Sequence, residues 1–276
     1  MYMFQQRRLI NSLMTTLTAI CAFGVVAILA IILGYIAIQG ISSISWEFLI
    51  DTPKPVGEGG GIGNAILGSL ILLSLASLIG IPVGVAVGTF LSEFGRGWFG
   101  SVVRFVADTM IGIPSIVFGV FVYALVVLRQ GYFSTLAGSL ALALIMIPIV
   151  SRTTEEMVRL VPTAMREGAL ALGAPQWRVT TDIVLPAARA GIATGAMLAV
   201  ARVLGETAPL LFTAFGSRFY NIYLDEPMAS LTVQIYNYAI SPFDEWHQKA
   251  WAATLVLLVM ILGINIAVRF FTRKRF

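Results

Sequence analysis

Long apolar stretches without a charged residue recur along this chain, and they limit its possible folds more than any other feature. An α-helix needs about 20 apolar residues to cross the hydrocarbon core of a bilayer. Five charge-free stretches reach about that length, at residues 9–46, 59–92, 109–128, 130–151 and 250–268. A sixth, about 190–214, is interrupted only by Arg202 and Glu206. We therefore predict an all-α integral membrane fold with six transmembrane helices, placed roughly at 15–38, 64–91, 107–128, 133–151, 189–213 and 250–270.

The overall composition excludes a soluble globular domain. Hydrophobic residues make up 58% of the chain and charged residues only 12%, whereas soluble domains carry about 25% charged residues. Cys21 is the only cysteine, which excludes an intrachain disulfide and a cysteine-ligated metal cluster.

The positions of the cations predict which side of the membrane each loop occupies. If the N-terminus lies in the cytoplasm, the outer segments contain four cations, Lys54, Arg129, Arg218 and Lys249. The cytoplasmic segments then contain thirteen, namely Arg7, Arg8, Arg96, Arg104, Arg152, Arg159, Arg166, Arg178, Arg189, Arg269, Arg273, Lys274 and Arg275. Cytoplasmic loops of membrane proteins are enriched in Lys and Arg, so both termini are predicted to be cytoplasmic. This distribution also accounts for the net charge of +4, and no nucleic-acid partner is expected.

The residues needed for the common kinds of catalysis are missing from this sequence. His247 is the only histidine, so neither a Ser-His-Asp triad in the membrane nor a histidine metal site is expected. None of the three lysines is followed by Ser or Thr, which excludes the lysine of a phosphate-binding loop. Glu155 and Glu156 are adjacent rather than facing, and we interpret them as solvated charges. We predict a chain that is not an enzyme, with no catalytic residue and no metal site.

A punctuated segment follows the fourth predicted span. Glu167-Gly168-Ala169-Leu170-Ala171-Leu172-Gly173 lies between Pro162 and Pro175. Proline and glycine at these places predict a short helix that ends at Gly173 and projects from the membrane. Its small residues Gly168, Ala169 and Ala171 would allow close backbone approach by a partner, with Arg166 and Glu167 as rim charges. An ordinary surface helix between two spans is the alternative.

Arg202 and Glu206 lie four residues apart inside the predicted fifth span, so they share a helical face and can pair. Ionisable groups at such depth commonly line a substrate path, and a guanidinium suits phosphate because it donates two parallel hydrogen bonds. The alternative is a structural ion pair that fixes this helix to a neighbour. Gly205 and Pro209 would allow a local break in the helix.

We divide the chain into three parts. Residues 1–63 contain a cytoplasmic tail, the first span and an external glycine-rich loop. Residues 64–271 form a membrane domain of five helices with a cytoplasmic loop at about 152–188, and residues 272–276 form a basic tail. Three local predictions accompany this division: Asn64 caps the second helix, residues 228–239 form a short helix near the membrane surface, and Asp108 pairs with Arg104.

The punctuated segment resembles the EAA loop of ATP-binding-cassette importer permeases. That pattern is matched by Glu167, Ala169, Gly173, Ile183, Leu185 and Pro186, while Gly168 stands where the family usually has Ala. With Ala107-Asp108-Thr109, Gly112-Ile113-Pro114-Ser115 and the stretch from Arg202 to Pro209, the chain resembles the permeases of phosphate-specific importers, the PstA family.

This resemblance implies a type I importer permease fold in the bacterial cytoplasmic membrane, with import of inorganic phosphate as its function. It implies that Glu167, Gly168, Ala169 and Gly173 form the helix that couples the chain to an ATPase, and that Arg202 and Glu206 lie in the substrate path. The implied partners are a homologous permease (PstC), two copies of an ATPase (PstB), which uses ATP and Mg, and a phosphate-binding protein (PstS). The alternatives are a permease for molybdate or sulfate, and a stand-alone secondary transporter or channel.

Overall fold

The computed structural model describes residues 2–273, with side chains for residues 7–270. Over this range the chain folds into helices joined by loops. We number the helices as α1 (Tyr2–Ile41), α2 (Trp46–Ile50), α3 (Gly63–Glu93), α4 (Trp98–Gly112), α5 (Ser115–Gln130), α6 (Thr135–Arg159), α7 (Thr163–Ala171), α8 (Gln176–Leu204), α9 (Ala208–Leu211), α10 (Leu231–Ala239) and α11 (Asp244–Arg273). Residues 274–276 of the predicted basic tail lie outside the described residues.

The predicted membrane spans are present, and the fold is an all-helical membrane architecture. Among the described residues, five helices are long and apolar enough to cross a bilayer, namely α1, α3, α6, α8 and α11. The sixth candidate is the pair α4 and α5, which is bent by 105° at residues 113 and 114. We call the end of the bundle that holds residues 160–178 the motif end, and the opposite end, which holds 42–62 and 205–243, the far end.

Two predicted spans are interrupted. A continuous helix over 107–128 is wrong, because α4 ends at Gly112 and α5 begins after Pro114, whose ring removes a backbone donor. The helix predicted over 189–213 is also not continuous, since α8 ends at Leu204 and α9 begins only at Ala208. This is the local break that Gly205 and Pro209 were expected to allow. Apolar composition predicts burial in a membrane, but not where the backbone changes direction.

The contact between α3 and α6 is the most extensive in the bundle, and glycines on α3 make it possible. A Cβ placed on Gly84 would lie 2.7 Å from the Cβ of Val150, and one on Gly88 would lie 2.3 Å from the carbonyl oxygen of Ser151. Small residues allow membrane helices to approach until their backbones nearly touch. Since α4, α5, α8 and α9 also pack on α6, this helix is the centre of the bundle.

A buried carboxylate joins α4 to α6 at the motif end. The Glu155 side chain is 1% exposed and accepts hydrogen bonds from Arg104 at 2.6 Å, Arg159 at 2.5 Å and Arg152 at 3.3 Å. The interpretation of Glu155 as a solvated charge is therefore wrong, because α6 continues to Arg159 instead of ending at 151 and carries Glu155 against α4. The predicted pairing of Asp108 with Arg104 is wrong for the same reason, and Asp108 lies 3.7 Å from Arg152 instead.

The glycine-rich loop at the far end is held against α11. Lys249 is buried and donates to the carbonyl of Gly59 at 2.6 Å and to Glu245 at 2.7 Å, while the amide of Gly57 donates to Glu245 at 2.9 Å. The predicted cap at Asn64 is wrong, since its side-chain amide donates across the bundle to the carbonyl of Ser217 at 2.7 Å.

The predicted short helix over 228–239 forms as α10, but it begins only at Leu231. Ser230 caps its N-terminus by accepting from the amide of Val233. Residues 228–230 precede the helix and are buried in the core.

The first helix stands apart from the rest of the bundle. Its main contact is with α11, where Gly40 lies against the carbonyl of Trp251 and the ring of Tyr35 meets the edge of the Trp251 ring at 5.3 Å. The remainder of its apolar surface is exposed.

We predict that Gly84→Leu separates α3 from α6, because the new side chain must displace Val150. Overpacking of this kind costs about 1–3 kcal/mol. The measurement is the loss of thermal stability of the purified membrane protein in detergent. Gly24→Leu is the matched control, since no atom lies within 4 Å of a Cβ at that position on α1. Equal loss in both variants would contradict the packing argument.

Candidate functional site

The helix α7 begins after Pro162 and ends at a glycine, as the sequence predicts. Gly173 has φ +83°, a left-handed conformation that residues with a Cβ adopt at a cost. Its amide donates to the carbonyl of Leu170 at 2.9 Å, and the amide of Ala174 donates to the carbonyl of Ala169 at 3.2 Å. These two bonds form a complete Schellman motif, which gives the helix a sharp end.

One side of α7 and its last turn face away from the protein. Glu167 and Gly168 are exposed, and no atom lies within 4 Å of a Cβ placed on Gly168. Leu172, next to the terminal glycine, is 91% exposed. The exposed surface thus combines a carboxylate, a bare stretch of backbone and a protruding apolar side chain, which are features suited to insertion into a groove on another protein.

The other side of α7 faces the protein interior. Ala169 is buried in an apolar cluster with Val158 and Val179, so its methyl group anchors the helix rather than meeting a partner. Arg166, three residues earlier on the same face, is mostly buried. Its guanidinium donates to Glu93 at 2.9 Å, to the carbonyl of Val158 at 2.7 Å and to the carbonyl of Val161. The prediction of Arg166 as a rim charge is therefore wrong.

Arg166 and Ala169 lie three residues apart, and residues at this spacing share one face of a helix. The sequence therefore contained a signal that both side chains point the same way. The pairing of Arg166 with Glu93 carries no such signal, since Glu93 lies 73 residues away in the chain.

A cleft of about 350 Å³ opens beside Glu167 at the motif end. The residues that line it from both sides include Ser92, Arg96, Arg159, Glu167, Leu170 and Gln176. Both cations and carboxylates line this cleft, so it offers partners for charged side chains of either sign.

The second half of the motif joins α7 to the membrane part of α8. Val184 is fully buried in the same apolar cluster as Ala169, and Ile183 and Leu185 pack against that cluster. Residues Val179–Val184 form a π-helical turn, in which the amide of Leu185 donates to the carbonyl of Thr180, five residues back. Pro186 follows and has no amide hydrogen to donate. A displacement of α7 would therefore reach α8 at this turn.

Arg202 and Glu206 lie where α8 ends, about 27 Å along the helix from Val184. Arg202 is the third-last residue of α8, and Glu206 lies in the non-helical segment before α9. The Nε atom of Arg202 and a carboxylate oxygen of Glu206 are 3.8 Å apart, with side-chain exposures of 46% and 16%. The predicted pair is present, but it straddles a helix break and is too long for a hydrogen bond.

At this helix break the guanidinium of Arg202 has N–H donors without an acceptor among the described residues. Within that part of the chain, the one polar contact of its side chain is with the Glu206 carboxylate, at 3.8 Å. The backbone of the break is held from α10, because the hydroxyl of Thr232 donates to the carbonyl of Glu206 at 2.8 Å. The site is thus an exposed guanidinium on a fixed backbone, able to donate to an oxyanion.

A cavity of about 750 Å³ lies at the far end between the loop 53–56, residues 215–218 and α10. Lys54 and Arg218 line it, and the hydrogen bond that Lys54 donates to Asp51 raises the pKa of Lys54 above its ordinary value. Burial raises the pKa of the Tyr238 hydroxyl to about 12, so this group stays neutral and donates to the carbonyl of Gly61 at 3.3 Å. The predicted site residues lie elsewhere in the molecule.

The fold is similar to that of chains in solved ABC transporters. The chain is similar to a chain of the inward-facing MetNI methionine ABC transporter, with a TM-score of 0.63 and 18% identity over 77% of this chain and 96% of the other. An amino acid ABC transporter solved with histidines gives a TM-score of 0.53 at 16% identity. At these identities the likeness concerns the fold alone.

Comparison with known sequences gives a family. The model of the family described as "binding-protein-dependent transport system inner membrane component" matches residues 80–276. The phosphate transport system permease protein PstA of Pasteurella multocida is 45% identical over 270 residues, which cover 97% of this chain and 96% of the relative. The PstA protein of Haemophilus influenzae is 45% identical over 274 residues, covering 99% of this chain and 97% of the relative. The chain therefore belongs to the family of binding-protein-dependent transport system inner membrane components and, within it, to the PstA permeases.

Proposed function

We propose that this chain is a permease subunit of an ATP-binding-cassette importer that moves inorganic phosphate into the bacterial cytoplasm. The observation that carries the proposal is the exposed, glycine-terminated helix α7, which bears the Glu167–Gly173 motif in a chain of this family. Relatives named as phosphate transport permeases support phosphate as the solute. The chain has no phosphate-binding-loop lysine, so the work comes from a separate ATPase, which uses ATP and Mg.

The proposed orientation places the motif end in the cytoplasm and the far end outside. The excess of arginines near the motif end supports this orientation. Four of these arginines are Arg104, Arg152 and Arg159, which bind Glu155, and Arg166, which binds Glu93. With this orientation α7 faces the compartment that contains ATP. Both termini then lie in the cytoplasm.

The proposed assembly contains a homologous permease (PstC), two copies of the ATPase (PstB) and a phosphate-binding protein (PstS). The ATPase docks on Glu167, Gly168 and Leu172, which form the outward surface of α7. The binding protein delivers phosphate at the far end. There, loops 51–61 and 215–230 are held to the bundle by hydrogen bonds between residues that lie far apart in the sequence.

The proposed mechanism is alternating access. Closure of the ATPase displaces α7, and the buried apolar cluster that contains Ala169 and Val184 passes the displacement to α8. Arg202 is the third-last residue of this helix, so movement of the helix changes the position of the guanidinium at the break. Arg202 donates to phosphate in transit, and Glu206 holds the guanidinium nearby or accepts from a protonated phosphate oxygen.

We predict that Gly173→Asp impairs both ATPase binding and phosphate uptake, because a Cβ at φ +83° strains the sharp end of α7 and the carboxylate adds charge to the docking surface. We expect losses of at least about tenfold, as for residues at the centre of an interface. The measurements are copurification of the ATPase and radiolabelled phosphate uptake.

Gly131→Asp is the matched control for that variant. Gly131 has φ +81°, also with no atom within 4 Å of a Cβ, but it lies at the far end. It imposes the same backbone strain without touching α7. Intact ATPase binding and uptake by Gly173→Asp would refute the docking assignment.

We predict that Arg202→Gln lowers phosphate uptake by about 10- to 100-fold with the complex still assembled, since an amide cannot replace a charged, bidentate donor. The measurement is uptake by membrane vesicles in which assembly is verified. Arg129→Gln, which removes an exposed cation at the far end, should transport normally. Normal uptake by Arg202→Gln would leave the pair with a structural role only.

The solute itself is tested by competition. Reconstituted complexes with and without this chain should differ in phosphate uptake, and arsenate should compete more strongly than sulfate or molybdate. Stronger competition by molybdate or sulfate would reassign the importer to that oxyanion.

A further inference from the structure

The coupling helix α7 has a second connection to the bundle, separate from the apolar contact with α8. It is made by Arg166, which turns inward while its neighbour Glu167 turns outward. Its three acceptors come from two helices: Glu93 is the last residue of α3, and the carbonyls of Val158 and Val161 lie at and just after the end of α6.

These contacts are charged and largely withdrawn from water. The side chains of Arg166 and Glu93 are 18% and 8% exposed. Removing one partner of such a pair leaves a buried charge without compensation, so the contact resists separation when α7 moves. The carbonyl of Val158 also accepts from the amide of Val161 at 3.2 Å, and the guanidinium adds a second, charged donor there.

The end of α3 is fixed from a second direction as well. Arg104 on α4 donates to the carbonyl of Leu91 at 2.5 Å while it also binds Glu155 on α6. The ends of α3, α4 and α6 are thus tied into one unit at the motif end. Arg166 is the charged attachment of α7 to this unit, beside the apolar cluster that Ala169 shares with Val158.

We propose that Arg166 is a positioning residue that transmits the displacement of the coupling helix to α3 and α6, the central helix pair of the bundle. The inference rests on the proposed function, which assigns α7 as the helix that meets the ATPase. It adds a second route for the movement: Ala169 leads to α8 and the Arg202 site, and Arg166 leads to the α3–α6 pair. Loss of Arg166 therefore uncouples ATP hydrolysis from transport without removing the docking surface.

The test uses the complete complex reconstituted in liposomes with the phosphate-loaded binding protein. Three quantities are measured for each variant: ATPase copurification, ATP hydrolysis, and phosphate transported per ATP hydrolysed. We expect Arg166→Gln to retain ATPase binding and hydrolysis while phosphate per ATP falls by at least about fivefold, the lower end of typical coupling between sites. Arg178→Gln, at the start of α8 and also at the motif end, is the matched control, because Arg178 is exposed and contacts the Trp177 ring. It should leave the ratio unchanged.

A second variant separates transmission from a simple fold defect. Glu93→Gln leaves the bonds of Arg166 to the carbonyls of Val158 and Val161 in place, so α7 keeps its conformation while its tie to α3 is weakened. It should lower phosphate per ATP as well. The double variant should be no worse than Arg166→Gln alone, since both changes interrupt one connection.

The outcomes are distinct. An unchanged ratio in both single variants overturns the proposal, and so does additive loss in the double variant. If the Arg166→Gln complex fails to assemble, the phosphate transported per ATP hydrolysed by the Glu93→Gln complex decides the test alone. A wild-type complex that binds no ATPase or transports no phosphate would refute the proposed function instead.

Discussion

The close approach of α3 and α6 is the constraint on which the rest of the molecule depends. Inside a membrane, helix association gains little from the hydrophobic effect, so stability relies on dense packing and on polar contacts between helices. Glycines at positions 80, 84 and 88 bring the two backbones together, and the other core helices are arranged around α6. At the motif end of this pair, Glu155 with its arginines and Glu93 with Arg166 gather the helix ends into one charged layer. The candidate coupling helix is attached to that layer.

The membrane spans were predictable because hydrocarbon requires about 20 consecutive apolar residues, and a window of composition detects that requirement directly. The interruptions at Pro114 and Gly205 lie inside such windows, and composition says nothing of backbone direction. Glu155 was misplaced for a different reason. A pair of adjacent carboxylates resembles a solvated turn, and the arginine of α4 that buries Glu155 is 51 residues away in the sequence.

The candidate site also has features that the sequence predicts and features that it does not. Gly173 was predictable, because a glycine after a helical motif anticipates a left-handed residue, and its φ of +83° agrees. The i, i+4 spacing of Arg202 and Glu206 anticipated their contact, though not that Glu206 would lie beyond the end of the helix. The inward direction of Arg166 follows from helical periodicity once Ala169 is known to be buried. Its hydrogen bond to Glu93 on α3 is a tertiary contact, and a single sequence does not reveal such a contact.

The first helix has a consequence for how the chain is made. It is apolar enough to enter the bilayer as soon as it is synthesised, yet its main protein contact, Gly40 and Tyr35 against Trp251, is with the last helix. That junction closes only after translation has passed Trp251. A chain terminated before Trp251 would keep α1 in the membrane but could not form the contact between α1 and α11. Finished and truncated copies therefore differ in whether the apolar surface around Gly40 and Tyr35 is covered.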